Sequence, residues 1–433
     1  MRIPLGLVEK WFTFLALQLF AGALIPLIQE KRGVAADSAQ GDVVTQLFLY
    51  IVFLVTILLL VARWKAFVRT AMRDKLLWLL VGIALFSVLW SITPDITLRR
   101  SFALLGTTLF GVYFATRYDL SEQLQLLAWT LGTGVVLSLL LTPVLPSYGI
   151  MSGEYAGAWR GIYSHKNILG RLMVLSALVF LLLSNGSRRQ IWLARVAIGL
   201  SMILILLSNS KSALIILLTL LILVPFYRAL QRHYTVGMFL LIVVVSVGGG
   251  MASLFVSNME TILGALGRDA TLTGRTELWA AVLDRIGQRP WLGYGYKAFW
   301  LSQDREAASY VWNVTQWRPA HSHNGFLELG LDLGLVGLFV FVVGFLRAYF
   351  GGLVWIFSAK PGVGLWPLLY MTFILLANLT ESMILRQNSI FWVLYVAAIY
   401  SMLVQPATVA KPEAFGKLST KGTQSRKCLK SLP

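Results

Sequence analysis

The chain has 433 residues, of which 57% are hydrophobic and only 13% are charged. Soluble domains carry about 25% charged residues, so composition excludes an ordinary soluble domain and calls for lipid as the main solvent. The formal net charge of +18 would suggest a nucleic-acid ligand in a soluble protein. In a membrane protein much of that charge belongs in loops facing anionic headgroups, and no nucleic-acid partner is expected. Cys428 is the single cysteine, so an internal disulfide is impossible.

A helix needs roughly 20 apolar residues to cross the hydrocarbon, and about twelve runs meet that criterion. They lie near 11–28, 46–62, 76–91, 102–118, 124–145, 168–184, 191–207, 213–227, 236–256, 333–350, 364–380 and 390–404. The first reads as a retained helix, because no clean small-residue cleavage site follows it and similar runs recur. The knot Ser208, Asn209, Ser210, Lys211 and Ser212 alone separates the seventh run from the eighth. The expected fold is therefore an all-α polytopic membrane protein.

Lys and Arg in short loops set orientation. Arg63, Lys65, Arg69, Arg73 and Lys75 follow the second run, Arg188 and Arg189 the sixth, Arg228 and Arg232 the eighth, and a Lys-rich tail the last. All fall on one side if both termini are cytoplasmic. The outer connections are then 91–100, 146–167, the knot at Lys211, 257–324 and 379–389. The long one has helical stretches of its own, such as 275–289, and reads as a small cap. The predicted organisation is a membrane bundle over 1–256, a cap over 257–324, a second membrane segment over 325–405 and a disordered basic tail over 406–433.

Polar chemistry gathers in the outer connections. Arg160, His165, Lys166, Arg171, Lys211 and Arg386 lie in short loops or at helix ends on the side where positive charge is disfavoured. Such a cluster suggests an anionic partner. In the stretch from Trp159 to Asn167, donors stand next to a helix start, where backbone N–H groups and the helix dipole favour anions. Asn167 is the expected N-cap. A headgroup-snorkelling loop would carry the same residues, and a lone Lys211 could simply snorkel.

In the long connection, Thr273 or Gly274 is expected to cap a helix that aligns Arg275, Trp279 and Val282 on one face. The stretch from Pro290 to Gly295 should end it and turn the chain. This cationic, aromatic surface suits phosphate and sugar, and an interfacial amphipathic helix would look similar.

The sharpest motif runs from His321 to Gly334. Asn324, Glu328 and Asp332 repeat every fourth residue and line one stripe. Two carboxylates so spaced repel each other and need a partner or a proton, so the stripe should face the protein interior. His323 at the mouth of this helix is the candidate general base, with Glu328 expected to set its tautomer. His321, two residues away, is expected to point elsewhere. A capped helix with an exposed histidine would also fit. No metal site and no cofactor are expected: the Asp-x-Asp pair of nucleotide-bound ions and a Walker-type glycine loop are both missing.

These residues resemble the O-antigen ligase and polymerase superfamily of bacterial inner membranes. The likeness rests on Trp159, Arg160 and Gly161 followed by His165, Lys166 and Asn167; a basic residue between two membrane runs; Gly274, Arg275, Trp279, Pro290, Gly293 and Gly295; His323 and Asn324 entering a helix; and a closing stretch from Glu381 to Trp392. It spans most of the chain beyond residue 76. Tyr163 to Asn167 and the stretch from Gly267 to Thr276 are most similar to exopolysaccharide production proteins of the ExoQ type. O-antigen ligases often carry arginine where Lys211 stands.

The resemblance implies a GT-C-like bundle of about twelve helices with a helical periplasmic cap. It implies glycosyl transfer from an undecaprenyl-diphosphate-linked oligosaccharide donor to an acceptor of the same class, in the inner membrane. Arg160, His165, Lys166, Asn167, Lys211, Arg275 and Asn324 would bind substrate, His323 would act as base, and Glu328 and Trp279 would support them. Membrane lipid, a chain-length regulator and export machinery are the further partners such a role calls for. The favoured activity is polymerisation of repeat units with inversion. The alternative is ligation of a finished glycan to lipid A-core or protein. A flippase is disfavoured, because it would place charges deep in the helices and repeat its halves.

Overall fold

The computed structural model describes residues 5–24, 43–184, 186–232, 274–301, 306–359 and 361–404. The expected run at 236–256, the first part of the cap, His233, Arg268, Arg305 and the basic tail lie outside the described residues.

Among the described residues every regular element is helical. The bundle helices are α1 (Leu5–Ala21), α2 (Val43–Ala62), α4 (Lys75–Phe86), α5 (Pro94–Arg117), α6 (Leu120–Val144), α7 (Lys166–Leu183), α8 (Arg188–Leu207) and α9 (Lys211–Arg232), followed by α12 (Gly325–Trp355), α13 (Trp366–Asn378) and α14 (Ile390–Val404). A short α3 (Trp64–Ala71) precedes α4, and α10 (Arg275–Gln288) and α11 (Glu306–Thr315) lie in the stretch expected to form the cap. Six of these helices are long and apolar enough to span a membrane, and three shorter apolar ones accompany them. The knot at Ser208 to Ser212 does separate two helices, α8 and α9.

Helices that are apolar all round belong at the centre of a bundle. In α14 every residue from Ile390 to Ser401 is buried, and the helix packs against α5 and α13. By contrast α2 exposes Leu47, Ile51, Leu54, Leu58 and Val61, which is the surface lipid wants. With 24 residues, α5 carries the chain about 36 Å. Near its start Thr97 Oγ1 donates to the Tyr296 carbonyl beside the cap. Near its end Arg117 pairs with Glu9 at 2.8 Å, as Arg63 does at 2.7 Å. The basic loop residues of the second run and the cap thus sit at opposite ends of the bundle. The described parts of the five connections expected to lie outside meet at one end. Ile92 N–H donates to the Tyr294 carbonyl, Trp159 N–H to the Leu207 carbonyl, and Tyr296 OH to the Leu385 carbonyl.

The run expected from 333 begins earlier, and α12 is broken. Gly334 has φ 62° and ψ −165° within this 31-residue helix, a conformation essentially reserved for glycine. The stretch from Pro290 to Gly295 lies in the break and completes its hydrogen bonds. Leu335 and Val336 N–H donate to the Pro290 and Trp291 carbonyls at 2.7 and 3.2 Å. Tyr294 and Gly295 N–H donate to the Leu331 and Asp332 carbonyls at 2.8 and 3.1 Å. A Cβ on Gly293 would come within 2.5 Å of the Leu331 carbonyl oxygen. The expected turn therefore also docks the cap onto α12. Above it Leu278, Val282, Phe299, Ala308, Val311 and Leu331 share a separate small core.

Candidate functional site

Three helices at the cap end begin on a basic residue: α7 on Lys166, α9 on Lys211 and α10 on Arg275. Helix N-termini carry partial positive charge and normally recruit acids. Neither α7 nor α9 has an acid in its first turn. Cations at these starts add to the positive end of each helix dipole.

The starts converge around Glu381, which follows α13 and is 4% exposed. Its Oε1 accepts from Asn167 Nδ2 at 2.8 Å. Its Oε2 lies 3.2 Å from the buried Arg171 guanidinium and 3.8 Å from both His321 Nε2 and His323 Nδ1. Asn167 Oδ1 accepts from Ser210 Oγ at 3.1 Å, which ties α7 to the knot before Lys211. Burial alone would raise the Glu381 carboxyl, but Arg171 and the two imidazoles hold it well below the usual carboxylate range. Burial lowers the His323 imidazole; Glu381 opposes the shift and Arg275 adds to it. Burial and the neighbouring His323 take His321 down to about 3. Both rings are thus biased toward the neutral form, beside a carboxyl biased toward the charged one.

Three expectations change here. His165, not Asn167, caps α7: its Nδ1 accepts the Asn167 N–H at 3.1 Å. The Asn167 side chain is thereby free to bridge Glu381 and Ser210. His321 and His323 do not diverge. Their ring centroids are 4.1 Å apart, because His323 has φ 50° and breaks the alternation of an extended strand. Glu328 does not face His323. Its Oε1 accepts from Lys297 Nζ at 3.1 Å, and its Oε2 from Trp300 Nε1 and the Ser322 N–H.

The expected interior stripe is real, and its partner is Lys297, which lies 2.9 Å from Asp332. Glu328 and Asp332 are 3% and 2% exposed. Burial would lower Lys297, and the two carboxylates reverse this and raise it above its ordinary value. Asn324 caps α12, its Oδ1 accepting from the Phe326 and Leu327 N–H groups. Trp279 Nε1 donates to the Ser322 carbonyl at 3.0 Å. Glu328 and Trp279 thus both hold the His321–His323 turn, one by its N–H and the other by its carbonyl.

The remaining predicted residues surround this centre. Arg275, at the start of α10 after Gly274 at φ 77°, is close enough to lower His323. Lys166 lies over the Tyr155 ring at 4.4 Å, and Tyr155 meets His165 edge-on. Lys211 is exposed beside Ser210. Arg160 folds over its own loop, with Nε on the Tyr148 carbonyl and its guanidinium 5.3 Å from that ring.

Sequence reasoning did not assign roles to Glu381, Arg171 or Lys297. The unpaired need of two buried carboxylates pointed to a cation, but its identity depended on the turn at Gly295. His321, His323 and Glu381 present ligand atoms within 4.8 Å of one another, a His₂Glu donor set of the kind that binds zinc. The Arg171 guanidinium sits on the oxygen a divalent ion would need.

A bundle of apolar spans with such a polar end defines a multi-pass membrane protein. Residues 196–342 match the family model described as O-antigen ligase. The chain is 28% identical over 283 residues to the exopolysaccharide production protein ExoQ of Rhizobium meliloti (strain 1021), covering 62% of this chain and 63% of that protein. It is 31% identical over 70 residues to a putative polysaccharide ligase of Rickettsia felis, covering 16% and 17% of the two chains. Each match spans less than two thirds of the relative's own length. Together they bear out the resemblance to the O-antigen ligase and polymerase superfamily.

Proposed function

We propose that the chain polymerises undecaprenyl-diphosphate-linked oligosaccharide repeat units, transferring a glycan between two carrier-linked molecules at the periplasmic face of the inner membrane. The observation that carries this reading is the convergence of three cation-first helices on an imidazole beside a carboxylate. Lys166, Lys211 and Arg275, with the helix dipoles behind them, suit a diphosphate and the charge that builds on it as it leaves. Both termini are then cytoplasmic, with the basic loops at the opposite end.

His323 Nδ1 is turned toward Glu381 Oε2 at 3.8 Å, too far for a hydrogen bond, and Nε2 is the ring nitrogen left to accept a proton. The acceptor sugar hydroxyl attacks the anomeric carbon of the donor glycan. Its proton passes to His323, the bond to the phosphate oxygen breaks, and undecaprenyl diphosphate departs with that electron pair. Glu381 is held by Arg171 and Asn167, so the reading is direct displacement with inversion rather than a covalent intermediate. The family match and the Rickettsia relative favour ligation as the second reading. It shares the donor chemistry and differs in acceptor.

Lipid-linked glycans of a deletion strain separate the two. A polymerase leaves single repeat units on the carrier, and a ligase leaves long chains. His323→Ala should abolish chain extension while the protein stays in the membrane. Wild-type product from that variant, or an unchanged carrier pool on deletion, overturns the proposal.

A further inference from the structure

The cap carries a second polar feature outside the charged centre. Along α11, Ala308, Val311 and Thr315 are buried against the cap core. Ser309, Asn313 and Gln316 lie beside that buried face at helical spacing, and the half-buried Trp312 packs at its edge against the cap core. The chain then turns at Gln316, which has φ 59°. Thr315 Oγ1 lies within hydrogen-bond distance of both the Val311 and Trp317 carbonyls and fixes that turn.

The result is a cleft of about 320 Å³ lined by Ser309, Trp312, Asn313, Gln316, Trp317 and Arg318, a volume at the small end of ligand sites. Arg318 lies over the Trp312 ring at 5.6 Å, and Trp312 Nε1 donates to the Pro319 carbonyl at 3.4 Å, so that ring is held. Trp317 is 39% exposed. Its ring centroid is 6.0 Å from that of His323.

An exposed indole face beside amide side chains is what a sugar ring requires. The apolar C–H face of a pyranose stacks on the aromatic ring, and its hydroxyls pair with amides. A charged diphosphate has no use for two tryptophans, and a lipid tail has none for the amides. Through Trp317 the cleft adjoins the proposed base. We propose that it is the acceptor-sugar subsite, with the acceptor's terminal pyranose lying on Trp317 so that one ring hydroxyl reaches His323. This rests on the transfer reading above and names the side from which the acceptor enters.

The test uses full-length protein in detergent micelles. The probe is the oligosaccharide repeat released from its carrier by mild acid. Saturation-transfer NMR should show it bound to wild type and to His323→Ala, but not to Trp317→Ala. With carrier-linked donor held saturating, Trp317→Ala should raise the acceptor KM on the order of tenfold, with little change in kcat. Trp317→Phe keeps an aromatic face and should recover most of the affinity. Unchanged binding and acceptor KM in Trp317→Ala overturn the subsite, even where His323→Ala still abolishes transfer. If His323→Ala transfers normally, the transfer reading fails instead, and the NMR signal decides the sugar site on its own.

Discussion

Replacing Lys297 with Met keeps the length of the side chain and removes the cation between Glu328 and Asp332. Those carboxylates lie 3.1 and 2.9 Å from Lys297 Nζ and are almost wholly buried. Removing one partner of a buried ion pair costs about 3–5 kcal/mol, because the opposing charge stays uncompensated. Here two carboxylates one helical turn apart would face each other. Glu328 also accepts the Ser322 N–H, so the loss passes directly to the turn that carries His321 and His323. Thermal unfolding of purified protein, followed by tryptophan fluorescence, should show a clear loss of stability in Lys297→Met, with reduced chain extension. Adding Glu328→Gln and Asp332→Asn should recover most of the stability, since no buried charge is then left alone and the Gln carbonyl still accepts from Ser322 and Trp300. If Lys297→Met melts with wild type, the network is not what holds the turn.

Two further outcomes are expected. Transfer requires neutral His323, and burial holds its pKa below the ordinary 6.5, so activity should fall on the acid side with a midpoint below that value. Glu381→Gln removes the charge that raises this imidazole, so the acid limb should move to still lower pH while the maximal rate drops; a limb moved upward refutes the pairing. Gly334→Ala should destabilise by roughly 2–6 kcal/mol, from a strained positive φ and the loss of up to two hydrogen bonds at the break. Gly351→Ala in the same helix, where a Cβ meets nothing within 4 Å, is the control expected to be neutral or slightly stabilising in the same melt.

Much of this was written in one dimension. The apolar runs, their polar punctuation and the bias of short-loop arginines marked the spans, and the expected outer connections do meet at one end. Lys166 and Lys211 were legible as misplaced cations, Arg275 as part of a cationic helix face, and His323 as an imidazole at a helix mouth. These are local signals: hydropathy, and charge at helix ends. The partners were not legible. Glu381 lies 214 residues from Asn167, and Lys297 lies 31 residues before Glu328. No periodicity links such positions; packing does. His321 and His323 share a side only because one residue takes a left-handed φ, which alternation rules do not foresee. The break at Gly334 became a cap-docking site only once the Pro290–Gly295 segment had supplied its hydrogen-bond partners. The sequence by itself determined which segments leave water and where charge collects. The tertiary structure decided which charges meet, because a buried charge must find its counterpart wherever the fold brings one.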